Sequence, residues 1–346
     1  EVAEKLASGV SYVIRQKVPI DEKITFHDEV YGDITVETNT LDDQILLKSD
    51  GMPTYNFANV VDDHLMNITH VIRGKEYISS TPKYQLLYNA FGWKSPKTLH
   101  LSTIMGQNPD GTVSKLSKRH GAVSFAQLVE DGYMQEAIIN YIALLGWSPK
   151  SENEFYTLEE LVKLFDVDGI VKTDAVFDYK KLDWFNASYI KNLSHEDFMK
   201  YAEKYAKELP QYLQDKWEFL STLAQSRINK FSEIKTIFAF LDEYGDFDLE
   251  LFENKKNKLD KAQCLEILKD MLPVFENCDW NVDTLNNEIQ KYADAKEYKI
   301  GKPMWPVRIA VSGNMVTPGG AAEMMYAVGK ETSLERIKHC IERLSK

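Results

Sequence analysis

The chain has 346 residues, of which 44% are hydrophobic and 12% aromatic, and this length suggests about two to four globular units. The formal net charge of −12 argues against a protein that coats nucleic acid nonspecifically, whereas an enzyme that binds one structured RNA through local patches is compatible with it. The sequence has no apolar run of membrane-spanning length, no signal-peptide pattern and three widely spaced cysteines, so we expect a cytoplasmic protein without a zinc site.

Residues 1–48 alternate short apolar segments with turn residues, which predicts the remainder of a β-rich unit. The predicted strands are 11–15, 24–26, 34–36 and 45–47. Because these strands do not form a complete core, we expect them to belong to a larger domain.

Residues 49–123 have an α/β pattern. The predicted elements are a helix-like stretch at 55–66, a strand at 70–74, a helix opened by Thr81 and Pro82, and a strand at 99–101. A strand, helix, strand and loop in this order are typical of a parallel sheet whose ligand site lies beyond the strand ends.

From residue 124 onward helical patterns dominate. Ser124 is a predicted N-cap, and Thr157 with Glu160 forms a predicted capping box. The later predicted helices are 194–207, 215–243, 258–272, 281–298 and 332–345. Breaks are expected at 301–303 and 319–320, where glycine and proline cluster.

The run of residues 115–121, here called the basic loop, has the sequence Lys-Leu-Ser-Lys-Arg-His-Gly. Lysine ammonium groups act as point charges on phosphate, and Arg119 can bind phosphate oxygens in a fork. A phosphate-binding loop and an ordinary solvated turn are both compatible with these residues alone.

A second polar cluster precedes the basic loop. Tyr55 and Asn59 are four residues apart, so a helix places them on one face. Arg73 ends an apolar strand and can bind a carboxylate bidentately. The alternative for Arg73 is an ion pair with Asp62 or Asp63.

Three further features have open interpretations. Glu76 could hydrogen-bond a ribose or start the helix that follows, and His100 lies between apolar residues, where a core histidine is commoner than a ligand. Residues 301–308 combine cations with Trp305 in a predicted loop, which could stack on an unpaired base. A tryptophan packed between prolines is the alternative.

Taken in order, four segments resemble bacterial glutamyl-tRNA synthetase, a class I aminoacyl-tRNA synthetase. They are residues 49–66, 68–74, 79–82 and 115–119. The basic loop is similar to the KMSKS signature of that class in its glutamyl variant. Residues 132–148 resemble the stem-contact region of the family, and residues 301–319 resemble its anticodon-binding region.

The resemblance implies an α/β fold followed by an all-α part. The α/β part would be the second half of a class I Rossmann-type nucleotide-binding fold, followed by stem-contact and helical anticodon-binding domains. The implied domains are 1–48 (remainder of the connecting insertion), 49–123 (catalytic), 124–192 (stem contact) and 193–346 (anticodon binding, two subdomains with a boundary near 247).

The implied activity is that of a glutamate–tRNA ligase, which forms glutamyl-adenylate from glutamate and ATP and transfers the glutamyl group to the 3′ end of tRNA(Glu). The implied catalytic residues are Lys115, Ser117 and Lys118. The implied ATP-binding residues are Lys115, Lys118, Arg119, Glu76, Ile104 and Met105. The implied glutamate-binding residues are Tyr55, Asn59 and Arg73.

ATP as substrate and Mg²⁺ are the implied cofactors, with no metal-ligating side chains. The expected partners are tRNA(Glu), glutamate and ATP, with no membrane and no DNA, and the chain is expected to be a monomer. The family's HIGH motif has no counterpart here, so we expect a fragment that is inactive alone. The alternatives are a noncatalytic tRNA-binding module of the same lineage, a nondiscriminating enzyme that also charges tRNA(Gln), or an unrelated nucleotide-binding α/β protein.

Overall fold

The computed structural model describes residues 1–121, 124–242 and 244–346. The chain forms two compact units. Unit 1 comprises Glu1–Val123 and Ile139–Tyr179, and unit 2 comprises Ser124–Ile138 and Lys180–Lys346. The four-domain division stays a prediction, and its boundary residue 123 and the predicted helix end at 243 lie outside the described residues.

Nine strands are present in the described part of the chain, all of them in unit 1. They are β1 (Ile14–Arg15), β2 (Lys23–Asp28), β3 (Gly32–Glu37), β4 (Ile45–Leu47), β5 (His70–Gly74), β6 (Lys97–Leu101), β7 (Ile104–Gln107), β8 (Val113–Lys115) and β9 (Ala175–Phe177). The strands expected from residues 1–48 are therefore confirmed.

Sixteen α-helices lie in the described residues. They are α1 (Val2–Ala7), α2 (Tyr55–Leu65), α3 (Thr81–Phe91), α4 (Phe125–Glu130), α5 (Gln135–Gly146), α6 (Leu158–Leu164), α7 (Tyr179–Asn192), α8 (His195–Ala206), α9 (Gln211–Gln214), α10 (Trp217–Gln225), α11 (Glu233–Ile237), α12 (Lys261–Asn277), α13 (Val282–Ala295), α14 (Gly301–Ser312), α15 (Ala321–Val328) and α16 (Lys330–Leu344). None of the described helices is long and apolar enough to cross a membrane.

The central sheet of unit 1 has the strand order β3-β2-β6-β5. Strands β5 and β6 run parallel, in the register that joins His70 to Lys97 and Gly74 to Leu101. Helices α2 and α3 pack together beside this sheet around Val60, Leu87 and Tyr88. Helix α3 ends where Gly92 adopts a φ of +67°, a left-handed conformation that favours glycine.

A second sheet of unit 1 has the order β8-β7-β9. Strands β7 and β8 form an antiparallel hairpin, whereas β9 pairs with β7 in parallel and joins Ile104 to Ala175. A short 3-10 helix, Lys118–His120, follows β8 after two intervening residues. The basic loop therefore continues from β8, and the other strand of that hairpin, β7, is the central strand of the sheet.

Unit 2 is helical, and the part of it that the structure describes includes two buried apolar clusters. One cluster includes Phe198, Leu220 and Ile234 from helices α8, α10 and α11. The other includes Phe275 and Ile337 from helices α12 and α16. The buried apolar side chains of these helices pack together in the two clusters.

Two sequence predictions for unit 2 are wrong. The single helix expected at 215–243 is divided into α10, α11 and a 3-10 turn, Ala239–Leu241. The break expected at 301–303 is instead the first turn of α14, where proline is tolerated because the N–H that it lacks has no intrahelical partner there.

Candidate active site

The hairpin of β7 and β8 positions the basic loop. Asn108 donates its backbone N–H to the carbonyl of Thr112 at 2.8 Å, and the Asp110 carboxylate accepts the Thr112 N–H at 3.0 Å. Gly111 completes the turn with a φ of +84°. The sequence Asn-Pro-Asp-Gly therefore forms a closed turn, and the strand that leaves it ends at Lys115.

Lys115 and Glu76 are brought together by this arrangement. Glu76 lies in a 3-10 turn directly after β5, and the Lys115 Nζ atom is 3.0 Å from its Oε1. The backbone N–H of Glu76 and the Lys115 ammonium group lower the pKa of the Glu76 carboxyl. The pair therefore connects the basic loop to the end of the central sheet.

The other cations of the basic loop face solvent. Lys118 and Arg119 are exposed, and Arg119 donates an Nη2 hydrogen to Ser114 Oγ at 2.8 Å. The Lys118 ammonium group makes no hydrogen bond or ion pair with another described residue. Lys118 is consequently free to contact an incoming anion.

Arg73 lies at the end of β5 among three tyrosine rings. Its guanidinium carbon is 5.7 Å from the ring centroid of Tyr55, 5.3 Å from that of Tyr77 and 5.1 Å from that of Tyr84. Within the described chain, no acid lies within ion-pair distance of Arg73, so the alternative pairing with Asp62 or Asp63 is not observed. The rings hold the guanidinium group without neutralising it.

Asn59 lies in the same pocket as Arg73, which we call the arginine pocket. The Asn59 Nδ2 and Tyr88 Oη atoms are buried there without a hydrogen-bond partner in the described chain. Burial raises the pKa of Tyr88 to about 12 and also raises the pKa of Asp63, which the charge of Arg73 partly offsets. An unneutralised cation beside orphaned polar groups is suited to a small ligand that carries a carboxylate.

His100 has a structural role in the wall of the arginine pocket. Its Nδ1 atom lies 2.6 Å from Asp28 Oδ2, its Nε2 lies 3.3 Å from Thr81 Oγ1, and Asp28 is fully buried. The Asp28 carboxylate also accepts the N–H groups of Val30 and Tyr31. The prediction of a satisfied core histidine is confirmed.

Ile104 and Met105 occupy β7. The Ile104 carbonyl accepts the Leu116 N–H at 3.0 Å, and the Ile104 side chain lines an apolar cavity of about 320 Å³ in unit 1. Leu101, Ile142 and Trp147 also line this cavity, which is adjacent to the strand that supports the basic loop. Its walls are mostly apolar and are suited to an apolar group.

The described residues contain no group of three or more His, Cys, Asp or Glu side chains that could hold a metal ion.

The predicted loop at 301–308 is wrong, because these residues lie in helix α14. Trp305 donates its Nε1 hydrogen to the carbonyl of Leu251 at 3.0 Å, and Arg308 lies over its ring at 4.9 Å. The alternative of a packed tryptophan is therefore the observed one.

Three residues of this region were not identified from the sequence. Tyr77 and Tyr84 complete the surroundings of Arg73, and no local pattern indicates that aromatic residues from a turn and a helix converge there. His120 organises the basic loop and stands at the third position after the cap residue Ser117, which is a recognisable capping-box position.

Comparisons with known proteins match both parts of the chain. Residues 1–184 match the catalytic domain of class I tRNA synthetases (E and Q), and residues 192–341 match an anticodon binding domain. The glutamate–tRNA ligase of Clostridium acetobutylicum is 49% identical over the whole chain, which covers 71% of that protein, and the one of Clostridium novyi is 48% identical over 99% of the chain.

Solved structures agree with these sequence matches. The crystal structure of a glutamate tRNA ligase from Elizabethkingia meningosepticum CCUG26117 in complex with its amino acid has a TM-score of 0.82 and 33% identity. The match covers 99% of this chain and 70% of that chain.

Proposed function

The chain belongs to the class I glutamate–tRNA ligases, and we propose that its site activates glutamate with ATP and passes the glutamyl group to the 3′ end of tRNA(Glu). One observation carries this proposal: the arginine pocket and the contact that holds the basic loop both lie at the end of β5. Arg73 is the penultimate residue of that strand, and Glu76, in the 3-10 turn that follows it, lies 3.0 Å from the Lys115 ammonium nitrogen. A carboxylate site and a phosphate site are thus adjacent, as adenylate formation requires.

Glutamate binds in the arginine pocket in this proposal. The Arg73 guanidinium group binds a substrate carboxylate through two parallel N–H···O bonds, and the Asn59 amide supplies a further donor. Tyr55 packs beside the substrate. The support is that Arg73 has no acidic partner among the described residues and that Asn59 Nδ2 is buried and unpartnered.

ATP lies along the basic loop. Lys115 exchanges the Glu76 carboxylate for phosphate oxygens, Lys118 and Arg119 bind the outer phosphates, and Ser117 orients them. The freed Glu76 is then available to a ribose hydroxyl. The adenine lies beside Ile104 and Met105, where the apolar cavity begins.

The chemistry has two steps. A carboxylate oxygen of glutamate attacks the α-phosphorus, and the bond to the β-phosphate breaks so that pyrophosphate leaves. A ribose hydroxyl at the 3′ end of the tRNA then attacks the acyl carbon and releases AMP. Lys115 and Lys118 neutralise the negative charge that develops on pyrophosphate. A bound Mg²⁺ would supply further neutralisation.

Unit 2 binds the tRNA in this proposal. The support is the match of residues 192–341 to an anticodon binding domain. The net charge of −12 indicates that this contact uses local basic patches and not a uniformly basic surface.

Exchange of labelled pyrophosphate into ATP tests the proposal. It is measured with tRNA(Glu) present, in the protein as its own gene encodes it and in this 346-residue chain. In the gene-encoded protein we expect pyrophosphate exchange, and we expect this exchange to depend on glutamate. The substitution Arg73→Gln should raise the KM for glutamate about 10- to 100-fold, and Arg73→Lys should raise it less. Binding of tRNA without exchange in the gene-encoded protein would contradict the proposal and favour a noncatalytic tRNA-binding module.

A further inference from the structure

His120 contacts both the basic loop and its hairpin through its two ring nitrogens. Its Nδ1 atom lies 3.0 Å from the backbone nitrogen of Ser117, and its Nε2 lies 3.0 Å from Asn108 Oδ1 and 3.3 Å from Ser114 Oγ. One half-buried ring therefore contacts the hairpin turn, strand β8 and the start of the 3-10 helix.

These partners favour one tautomer of the ring. Nδ1 lies 3.0 Å from the Ser117 backbone nitrogen and 3.2 Å from the Ser117 carbonyl oxygen. A backbone N–H can only donate, and this contact is the shorter of the two, so we assign Nδ1 as the unprotonated nitrogen. Nε2 then carries the hydrogen and donates it to Asn108 Oδ1. The Asn108 side chain is oriented by its own Nδ2, which donates to Thr112 Oγ1 at 2.9 Å. Both ring nitrogens are thus matched to the neutral Nε2–H tautomer.

The ring also has a defined place against β7. A Cβ atom on Gly106 would lie 2.6 Å from His120 Cγ, which is closer than carbon atoms approach. Only glycine at position 106 leaves room for the imidazole in its present position. The ring position is therefore fixed by packing on one side and by hydrogen bonds at both nitrogens.

We propose that His120 is a positioning residue of the basic loop: its neutral ring holds the Ser117 backbone and thereby sets the direction in which Lys118 leaves the loop. This inference rests on the proposed function, in which Lys118 contacts the departing pyrophosphate. His120 itself does not touch the substrate. It acts through the backbone of the 3-10 helix, because Ser117 precedes Lys118 directly.

Two substitutions separate hydrogen bonding from ring packing. His120→Asn keeps an acceptor oxygen where Nδ1 lies, whereas His120→Phe keeps a ring against Gly106 and has neither acceptor nor donor. Trypsin cleavage after Lys118 and Arg119, followed by mass spectrometry, reports how often the loop opens. We expect cleavage about tenfold faster in His120→Phe and within about twofold of the unsubstituted chain in His120→Asn.

Nitrogen NMR of the imidazole rings tests the tautomer directly, with the His120 signals assigned by their loss in His120→Asn. We expect Nδ1 to be the unprotonated nitrogen in the unsubstituted chain. An Nδ1–H tautomer, or cleavage of His120→Phe at the rate of the unsubstituted chain, would overturn the proposal. If His120→Phe does not fold, the tautomer and the His120→Asn cleavage rate still decide the outcome.

Pyrophosphate exchange in the gene-encoded protein distinguishes positioning from a merely structural role. His120→Phe should lower kcat about tenfold, leave the KM for glutamate unchanged, and be largely rescued in His120→Asn. A change confined to KM would overturn the proposal. Absence of exchange from the unsubstituted gene-encoded protein would overturn the proposed function alone, since loop cleavage and the tautomer do not depend on turnover.

Discussion

Two Asp–His pairs in unit 1 have the same N···O distance but differ in burial, so a comparison of the two isolates the effect of burial. The Asp28–His100 and His27–Asp33 pairs both have an N···O distance of 2.6 Å. The side chains of the first pair are 0% and 2% exposed, whereas those of the second are 61% and 75% exposed. We predict that removing Asp28 strongly destabilises unit 1 and that removing Asp33 does not.

The magnitude follows from what the Asp28 carboxylate accepts. Asp28→Ala removes bonds from His100 Nδ1 at 2.6 Å, from the Val30 N–H at 3.0 Å and from the Tyr31 N–H at 2.9 Å. Removing one partner of a buried pair costs about 3–5 kcal/mol, since the remaining groups stay desolvated and unpaired. Asp28→Asn keeps an acceptor for the two N–H groups, so its loss should be smaller.

Amide hydrogen exchange is the appropriate assay, because a chain with two units need not unfold in a single step. A loss of this size raises the rate of amide exchange in β2 and β6 by about two to almost four orders of magnitude when opening is fast. Asp33→Ala, on the neighbouring strand β3, is the matched control and should leave exchange in β6 unchanged. Equal effects of the two substitutions, or no effect of Asp28→Ala, would refute the reasoning.

Three further predictions concern other described contacts. The hydrogen bond that His27 donates to the Asp33 carboxylate raises the pKa of His27 above 6.5. The pair therefore contributes its full stability below about pH 6.5, and this contribution is lost as the pH rises through the raised pKa. NMR titration should show a lower His27 pKa in Asp33→Ala, and an unchanged pKa contradicts this. Gly106→Ala should displace the His120 ring and accelerate tryptic cleavage of the basic loop, and a cleavage rate equal to that of the unsubstituted chain counts against the packing argument. Thr157→Ala removes the N-cap acceptor of α6 and should destabilise that helix by about 1 kcal/mol. This loss should appear as roughly fivefold faster amide exchange in α6. Unchanged exchange would mean that the cap does not stabilise the helix.

Much of the fold in unit 1 could be predicted because local signals and tertiary structure agree there. Strand β5 occupies the predicted residues, and α3 begins at the predicted Thr81-Pro82. The predicted capping box of Thr157 and Glu160 is confirmed in both directions, at 3.2 and 2.8 Å.

The division of the predicted helix at 215–243 has a tertiary cause. Between α10 and α11 the Phe231 N–H donates to the carbonyl of Gly132, and Asn186 donates to the carbonyl of Asn229. These hydrogen bonds stabilise a turn in a segment whose residues are also compatible with a helix. A local pattern cannot reveal partners that lie far away in the sequence.

Helix α14 shows the opposite effect of tertiary packing. Pro306 lies inside this helix and lacks one hydrogen bond, yet Val307, Ile309, Ala310 and Val311 are fully buried. The packing of these buried side chains outweighs the tendency of proline to break a helix, on which the sequence prediction rested.

The candidate site could be located from the sequence but not assembled from it. The basic loop and Arg73 are visible as charged residues beside glycine, whereas the Lys115–Glu76 contact depends on how the hairpin of β7 and β8 lies beside β5. The tyrosines around Arg73 depend likewise on the packing of α2 and α3. Roles for these residues came from a family resemblance, and the distances explain how the residues can act together.

The parallel pairing of β7 with β9 determines when the basic loop gains its full support during synthesis. The hairpin of β7 and β8 can form as soon as Lys115 has left the ribosome, but its second partner, which pairs Ile104 with Ala175, is translated only after α4, α5 and α6. Pairing across such a separation is slow, because the intervening chain must first be ordered. A nascent chain that ends before Phe177 therefore carries the loop on a two-stranded hairpin alone, which is marginally stable in water.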